Sequence, residues 1–98
     1  MSSFSSFPQE STVDLSCIIV NYYSSASLKN CFESVYQTLR KISFEVILVD
    51  NSQNDPGMAS LKEAYPQVRV IQNVTNVGFA KANNQAALSS QGKTLLFL

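Results

Sequence analysis

Phe44-Glu45-Val46-Ile47-Leu48-Val49-Asp50-Asn51-Ser52 decides the fold. The apolar run does not alternate between inward and outward residues, as a strand buried on both faces requires. Such strands belong to parallel sheets with helices packed on each face. Upstream, Leu15-Ser16-Cys17-Ile18-Ile19-Val20 is a run of the same kind, and it passes into Asn21-Tyr22-Tyr23. Between the two runs, Leu28, Cys31, Phe32, Val35 and Leu39 recur at helical spacing and form one apolar stripe. The Ser24-Ser25-Ala26-Ser27 cluster in front of them offers N-cap hydroxyls.

Downstream, residues 51–57 read as a polar turn holding Pro56. Met58, Leu61 and Tyr65 make a short amphipathic helix that Pro66 stops. Val68 to Ile71 alternates as a third strand, suited to a sheet edge. Gly78 to Ser90 reads as a helix of small residues, with Gly92 as its C′ residue. Thr94-Leu95-Leu96-Phe97-Leu98 forms a fourth strand. Strand and helix alternate throughout, which dictates an α/β fold: three layers, a mostly parallel sheet, flanking helices and right-handed crossovers. The expected organisation is a disordered Ser-rich lead over residues 1–13 and one α/β domain over 14–98. A chain that closes on a bare apolar strand reads as the front part of a longer protein.

At 98 residues the chain is at most one small domain. A hydrophobic content of 45% with 14% charge excludes wholesale disorder. Seven basic residues balance seven acidic ones without a basic stripe, so nucleic acid is not an expected partner. No apolar run approaches the roughly 20 residues of a membrane helix, and the N-terminus lacks a secretory pattern. Cys17 and Cys31 fall on apolar faces as ordinary buried thiols. With no histidine and no clustered ligands, a metal site is not read from the sequence. The chain reads as cytosolic.

The polar residues lie where ligands bind in open α/β sheets, at the carboxyl ends of strands. Asp50 could accept two hydrogen bonds from a ribose diol or a base edge; equally, Asp50 and Asn51 could merely cap a turn. Asn21 and Tyr22 could bond to and stack on a base, or serve as turn and core residues. In Asn76-Val77-Gly78-Phe79-Ala80-Lys81-Ala82-Asn83 the glycine permits close backbone approach, and a helix N-terminus follows. Tight helix-on-sheet packing would explain the alanines, while Asn76 and Asn83, seven residues apart, fall on one helical face. Gly92-Lys93-Thr94 resembles the tail of a phosphate loop, but its first glycine is replaced by Ala87 and a strand follows. No Gly-rich turn follows the first strand, which excludes a dinucleotide site of the Rossmann type.

Taken in order, Ile18-Ile19-Val20-Asn21-Tyr22, Glu45 to Ser52, Asn76 to Asn83 and Leu95-Leu96-Phe97-Leu98 resemble the N-terminal part of family 2 glycosyltransferases. Within that family they are most similar to the branch of bacterial rhamnosyltransferases and related cell-surface polysaccharide enzymes. The resemblance covers residues 15 to 98. It implies a nucleotide-sugar-binding domain, strand order 3-2-1-4, and transfer of a sugar from a UDP- or dTDP-type donor to an acceptor hydroxyl. It places Asn21 and Tyr22 by the base, Asp50 on the base or ribose with Asn51 beside it, and Asn76, Gly78, Phe79 and Asn83 along the nucleoside wall. It further implies Mg²⁺ or Mn²⁺ in the parent enzyme, held with a catalytic base by residues beyond Leu98. This chain alone is therefore expected to be inactive, with no catalytic and no metal-binding residue of its own. The parent is expected in the cytoplasm or peripherally at the inner membrane. The apolar fourth strand is an edge through which a homodimer could form. The competing reading is a non-catalytic binding or regulatory module of response-regulator-like architecture. That module wants acids at the ends of strands one and three, where this chain has Asn21 and Gln72-Asn73.

Overall fold

The computed structural model describes residues 13–98 as four strands and three helices in strict alternation. These are β1 (Val13–Asn21), α1 (Ser25–Thr38), β2 (Phe44–Asp50), α2 (Met58–Ala64), β3 (Arg69–Gln72), α3 (Phe79–Ser89) and β4 (Gly92–Phe97). The strands form a single sheet in the order β3-β2-β1-β4, with every neighbouring pair parallel. The α/β class, the strand order and the edge position of β3 agree with the sequence reading. The expected lead-in lies outside the described residues except for Val13, which already belongs to β1.

Both central strands are buried on two sides, and their residues divide by parity. Cys17, Ile19, Val46 and Leu48 face a core closed by Leu28 and Phe32 of α1 and by Met58 and Leu61 of α2. Ile18, Ile47 and Val49 face a second core closed by Ala82 and Ala86 of α3. Each fully buried aliphatic side chain of this kind contributes about 1.5–3 kcal/mol. The alanines let α3 lie close against the sheet, so the small-residue helix has a packing role. On the other face, the Tyr65 ring meets Phe32 edge-on at 5.1 Å and lies parallel to Tyr36 at 6.0 Å. Cys17 is buried and Cys31 half-buried, both as free thiols. Burial raises the pKa of each, as expected of unreactive packing residues.

Several local expectations are corrected. β2 runs through Asp50, and β3 lies one residue later than its apolar pattern suggested. Gly92 is not a helix C′ residue. The helix ends at Ser89, and Gly92 starts β4 opposite Val13. A Cβ at Gly92 would lie 2.5 Å from the Ser16 backbone nitrogen, so only glycine lets β4 approach β1 there. Its N–H donates to Ser16 Oγ at 2.8 Å, and that hydroxyl donates to Glu45 Oε2 at 2.6 Å. Burial pushes the Glu45 carboxyl upward, but donation from Ser16, the Gln91 N–H and Arg69 outweighs it and leaves the pKa lowered. This polar tie lies at the amino ends of the strands, away from the loops discussed next.

Candidate functional site

Three loops converge at the carboxyl ends of β1, β2 and β3. The connections β1-α1-β2-α2-β3 run in one direction across the sheet, and α3 returns the chain to the far side of β1. That reversal is a topological switch point, where open α/β sheets bind their ligands. A cavity of about 290 Å³ lies there, lined by Val20, Tyr22, Ser24, Asn51, Asn76, Gly78 and Phe79. It falls just below the range for ligand pockets, roughly 300–1,000 Å³.

Five of the eight residues expected at a site therefore share one cavity: Tyr22, Asn51, Asn76, Gly78 and Phe79. Tyr22 and Phe79 are large aromatics left 55% and 65% exposed, although apolar cores lie within the same molecule. Asn51 is buried but keeps hydrogen-bonding capacity. Its Nδ2 donates to the Gly78 carbonyl at 3.3 Å, and its Oδ1 accepts from Asn73 Nδ2 at 2.8 Å. One N–H and one lone pair of the amide remain uncommitted by these bonds. Asn73 is held in turn by two reciprocal amide bonds with Gln85 of α3, each 2.9 Å.

Asn21 and Asp50 are buried beside the cavity rather than in its lining. The parity that sends Val49 toward α3 sends Asp50 toward α1 and α2. Asn21 Nδ2 donates to Asp50 Oδ1 at 3.0 Å and to Asp55 Oδ2 at 3.2 Å, while its Oδ1 accepts the Ser24 N–H at 2.9 Å. Asp50 Oδ1 also accepts the Ser52 N–H at 2.9 Å. The pair thus ties the first two loops together from below. Asn83 is half-buried in α3 and does not line the cavity. The expected shared face of Asn76 and Asn83 does not form, because Asn76 precedes the helix. Its Oδ1 instead accepts the Gly78 N–H at 2.9 Å, closing an Asx turn.

Gly78 has φ +89° and ψ 163°, a region open almost only to glycine, and a Cβ there would meet nothing within 4 Å. Its requirement is conformational, not the close approach that the sequence suggested. Tyr23, with φ +53°, is the one non-glycine residue in the left-handed region among those described. Holding it there costs roughly 1–2 kcal/mol.

Asp55 is the residue that sequence reasoning missed. No serine side chain caps α1; instead Asp55 accepts the Ser25 N–H at 3.1 Å and the Ser25 hydroxyl at 2.6 Å. Donation from the Ser25 hydroxyl is the largest influence on its carboxyl. Together with Asn21 and the N–H groups of Gly57 and Ser25, it overcomes partial desolvation and lowers the pKa. The only available signal was an acid just ahead of Pro56-Gly57, which does not reveal a partner thirty residues earlier. Among the described residues, no group of three or more His, Cys, Asp or Glu could hold a metal ion. The cavity lining contains no carboxylate, so its donors do not suit a divalent cation. Also among the described residues, no helix is long and apolar enough to cross a membrane.

The geometry is that of an open α/β sheet with a cavity at its switch point. The model of the family "Glycosyl transferase family 2" matches residues 16–98, and the chain belongs to that family. Its function is accordingly of the sugar-transfer type. No curated protein matches the chain.

Proposed function

We propose that this chain is the nucleotide-binding portion of a glycosyltransferase that takes sugar from a UDP- or dTDP-type donor. The observation that carries the reading is the cavity walled by Tyr22 and Phe79 with the Asn51 amide at its edge. A pyrimidine imide pairs one N–H donor with carbonyl acceptors, and an amide offers the complementary donor and acceptor. Exposed rings of this kind stack on bases irrespective of base identity, so Asn51 would supply selectivity and the aromatics affinity. On this reading Asn51 meets the base, whereas Asn21 and Asp50 hold the loops. Asn76 and Gly78 shape the nucleoside wall, with Asn83 behind it. The volume suits a base with its ribose, leaving the diphosphate and sugar outside. The cell-surface polysaccharide role and the rhamnosyltransferase-like branch rest on motif resemblance alone.

The test is an amide NMR titration with UMP, UDP and dTDP, with and without Mg²⁺. Shifts clustered at Tyr22, Asn51, Gly78 and Phe79, unaltered by Mg²⁺ for UMP, are expected. Shifts elsewhere, or none up to millimolar nucleotide, refute the reading. The carboxylates nearest the cavity, Asp50 at the end of β2 and Asp55 in the loop after it, hold Asn21 and Ser25 and lie outside the lining, so no sugar transfer by this purified chain is expected.

We also propose that the chain self-associates through β4. Among the described residues that strand pairs only with β1, and Leu95, Leu96, Phe97 and Leu98 remain 36–49% exposed. An apolar edge free of charge from Thr94 onward is a template for another strand. Light scattering over a concentration series should show dimers that Phe97→Lys weakens. A monomer throughout would refute the proposal.

A further inference from the structure

We infer that Tyr23 is a positioning residue that holds the Tyr22 ring as a fixed wall of the cavity; the inference rests on the nucleotide-site reading. Tyr22 is half-exposed, and no hydrogen bond anchors its phenol among the described contacts. Its aromatic neighbour is Tyr23, whose ring meets it edge-on at 4.9 Å with planes 78° apart. An unsupported ring on a surface loop samples several rotamers, and only one of them closes the cavity.

Tyr23 is itself fastened at both ends. Its N–H donates to Ser52 Oγ at 2.6 Å, and Ser52 is only 1% exposed. Its phenol oxygen accepts the Gln53 N–H at 3.3 Å. Both fasteners come from the loop after β2, so the first loop is clamped by the second. The left-handed backbone of Tyr23 is the strained element of this clamp. Strain of this kind persists only where surrounding contacts over-determine it. Here the buried Ser52 hydroxyl and the Gln53 N–H supply that determination. The Asn21 amide, which accepts the Ser24 N–H one residue further on, fixes the exit of the same turn. The sequence Asn21-Tyr22-Tyr23-Ser24 thus divides its labour: a buried anchor, a presented ring, a strained brace and a capped exit.

The consequence is preorganisation. A wall already in place adds no ordering cost when a flat ligand enters, whereas a wandering ring lowers apparent affinity by the fraction of time it is in place. If the unbraced ring is in place for about a third to a tenth of the time, affinity falls roughly 3- to 10-fold.

The experiment uses Tyr23→Asn, because asparagine tolerates the left-handed region while removing the ring. Tyr23→Phe serves as the conservative rescue, keeping the edge-on contact and losing only the acceptor for Gln53. The first readout is ¹³C relaxation of the Tyr22 ring in the ligand-free protein. The second is the dissociation constant of UMP, measured for each variant alone and combined with Tyr22→Ala. The expected result is a disordered Tyr22 ring and 3- to 10-fold weaker UMP binding in Tyr23→Asn, both restored in Tyr23→Phe. The loss should disappear in the Tyr22→Ala background. A Tyr22 ring as ordered in Tyr23→Asn as in the parent overturns the inference, and so does a loss that persists without Tyr22. If the parent chain does not bind UMP, the nucleotide reading fails while the ring-order measurement still decides whether Tyr23 positions Tyr22. Should Tyr23→Asn not fold, Ser52→Ala releases the same brace from the other side and is read in the same way.

Discussion

Replacing Tyr22 by alanine is expected to weaken UMP binding roughly 5- to 150-fold while leaving the fold almost untouched. The magnitude follows from stacking, worth about 1–3 kcal/mol per base by alanine substitution, with each 1.4 kcal/mol a factor of ten. The selectivity of the effect follows from exposure. Tyr22 is 55% exposed, and its ring contributes to neither apolar core. Surface changes of this kind usually move stability by no more than about 0.5 kcal/mol. Phe79→Ala should behave in the same way from the opposite wall, since that ring is 65% exposed at the first position of α3. Isothermal titration with UMP and a thermal melt of each variant check both halves of the prediction. Equal affinity for parent and Tyr22→Ala would remove Tyr22 from the site. A large drop in melting temperature would show that the ring holds the loop rather than a ligand.

The contrast between these rings and the polar residues beneath them marks what sequence could reveal. The fold was legible because β1 and β2 are continuous apolar runs, and burial on two faces leaves few architectures. The boundaries were less so. Gly92 looked like a helix terminator because glycine serves both after helices and where backbones approach closely. Only the position of Ser16 in space separates the two roles. At the site, Asn51 and Asp50 are adjacent, and sequence favoured the charged residue. Alternation along β2 decides otherwise, sending Asp50 toward α1 and α2 and leaving Asn51 to reach Gly78. The roles of Asp55 and Ser52 were not legible because their partners are brought to them by tertiary geometry, not spacing.

Substituting Asn21 by alanine is expected to cost about 2–4 kcal/mol of stability, far more than any cavity-wall change. Its amide nitrogen is shared between two carboxylates, at 3.0 Å from Asp50 and 3.2 Å from Asp55, and its oxygen accepts the Ser24 N–H. Hydrogen bonds to charged groups are each worth roughly 1.5–3 kcal/mol. The total is set below two full bonds because Asp55 is only half-buried and water can replace part of its loss. Asp50, at 2% exposure, has no such relief. For a domain of this size the drop in melting temperature should be about 10–25 °C. Acidity supplies a second signature. The Asp55 carboxyl has a lowered pKa in the folded chain, held down chiefly by Ser25 and partly by Asn21. Its contribution is therefore present above the unfolded value, about 3.9, and is lost as pH falls through the folded value. In Asn21→Ala one of those donors is gone, the folded pKa rises toward the ordinary value, and less stability remains to be lost. The gap between parent and variant should narrow from pH 7 to pH 3 without closing, since the bond that Asn21 Oδ1 accepts from the Ser24 N–H is missing from the variant at either pH. Denaturant unfolding at both pH values measures it. A gap that stays constant or widens on acidification would show that Asn21 acts through packing or the Ser24 turn alone, not by holding the carboxylates.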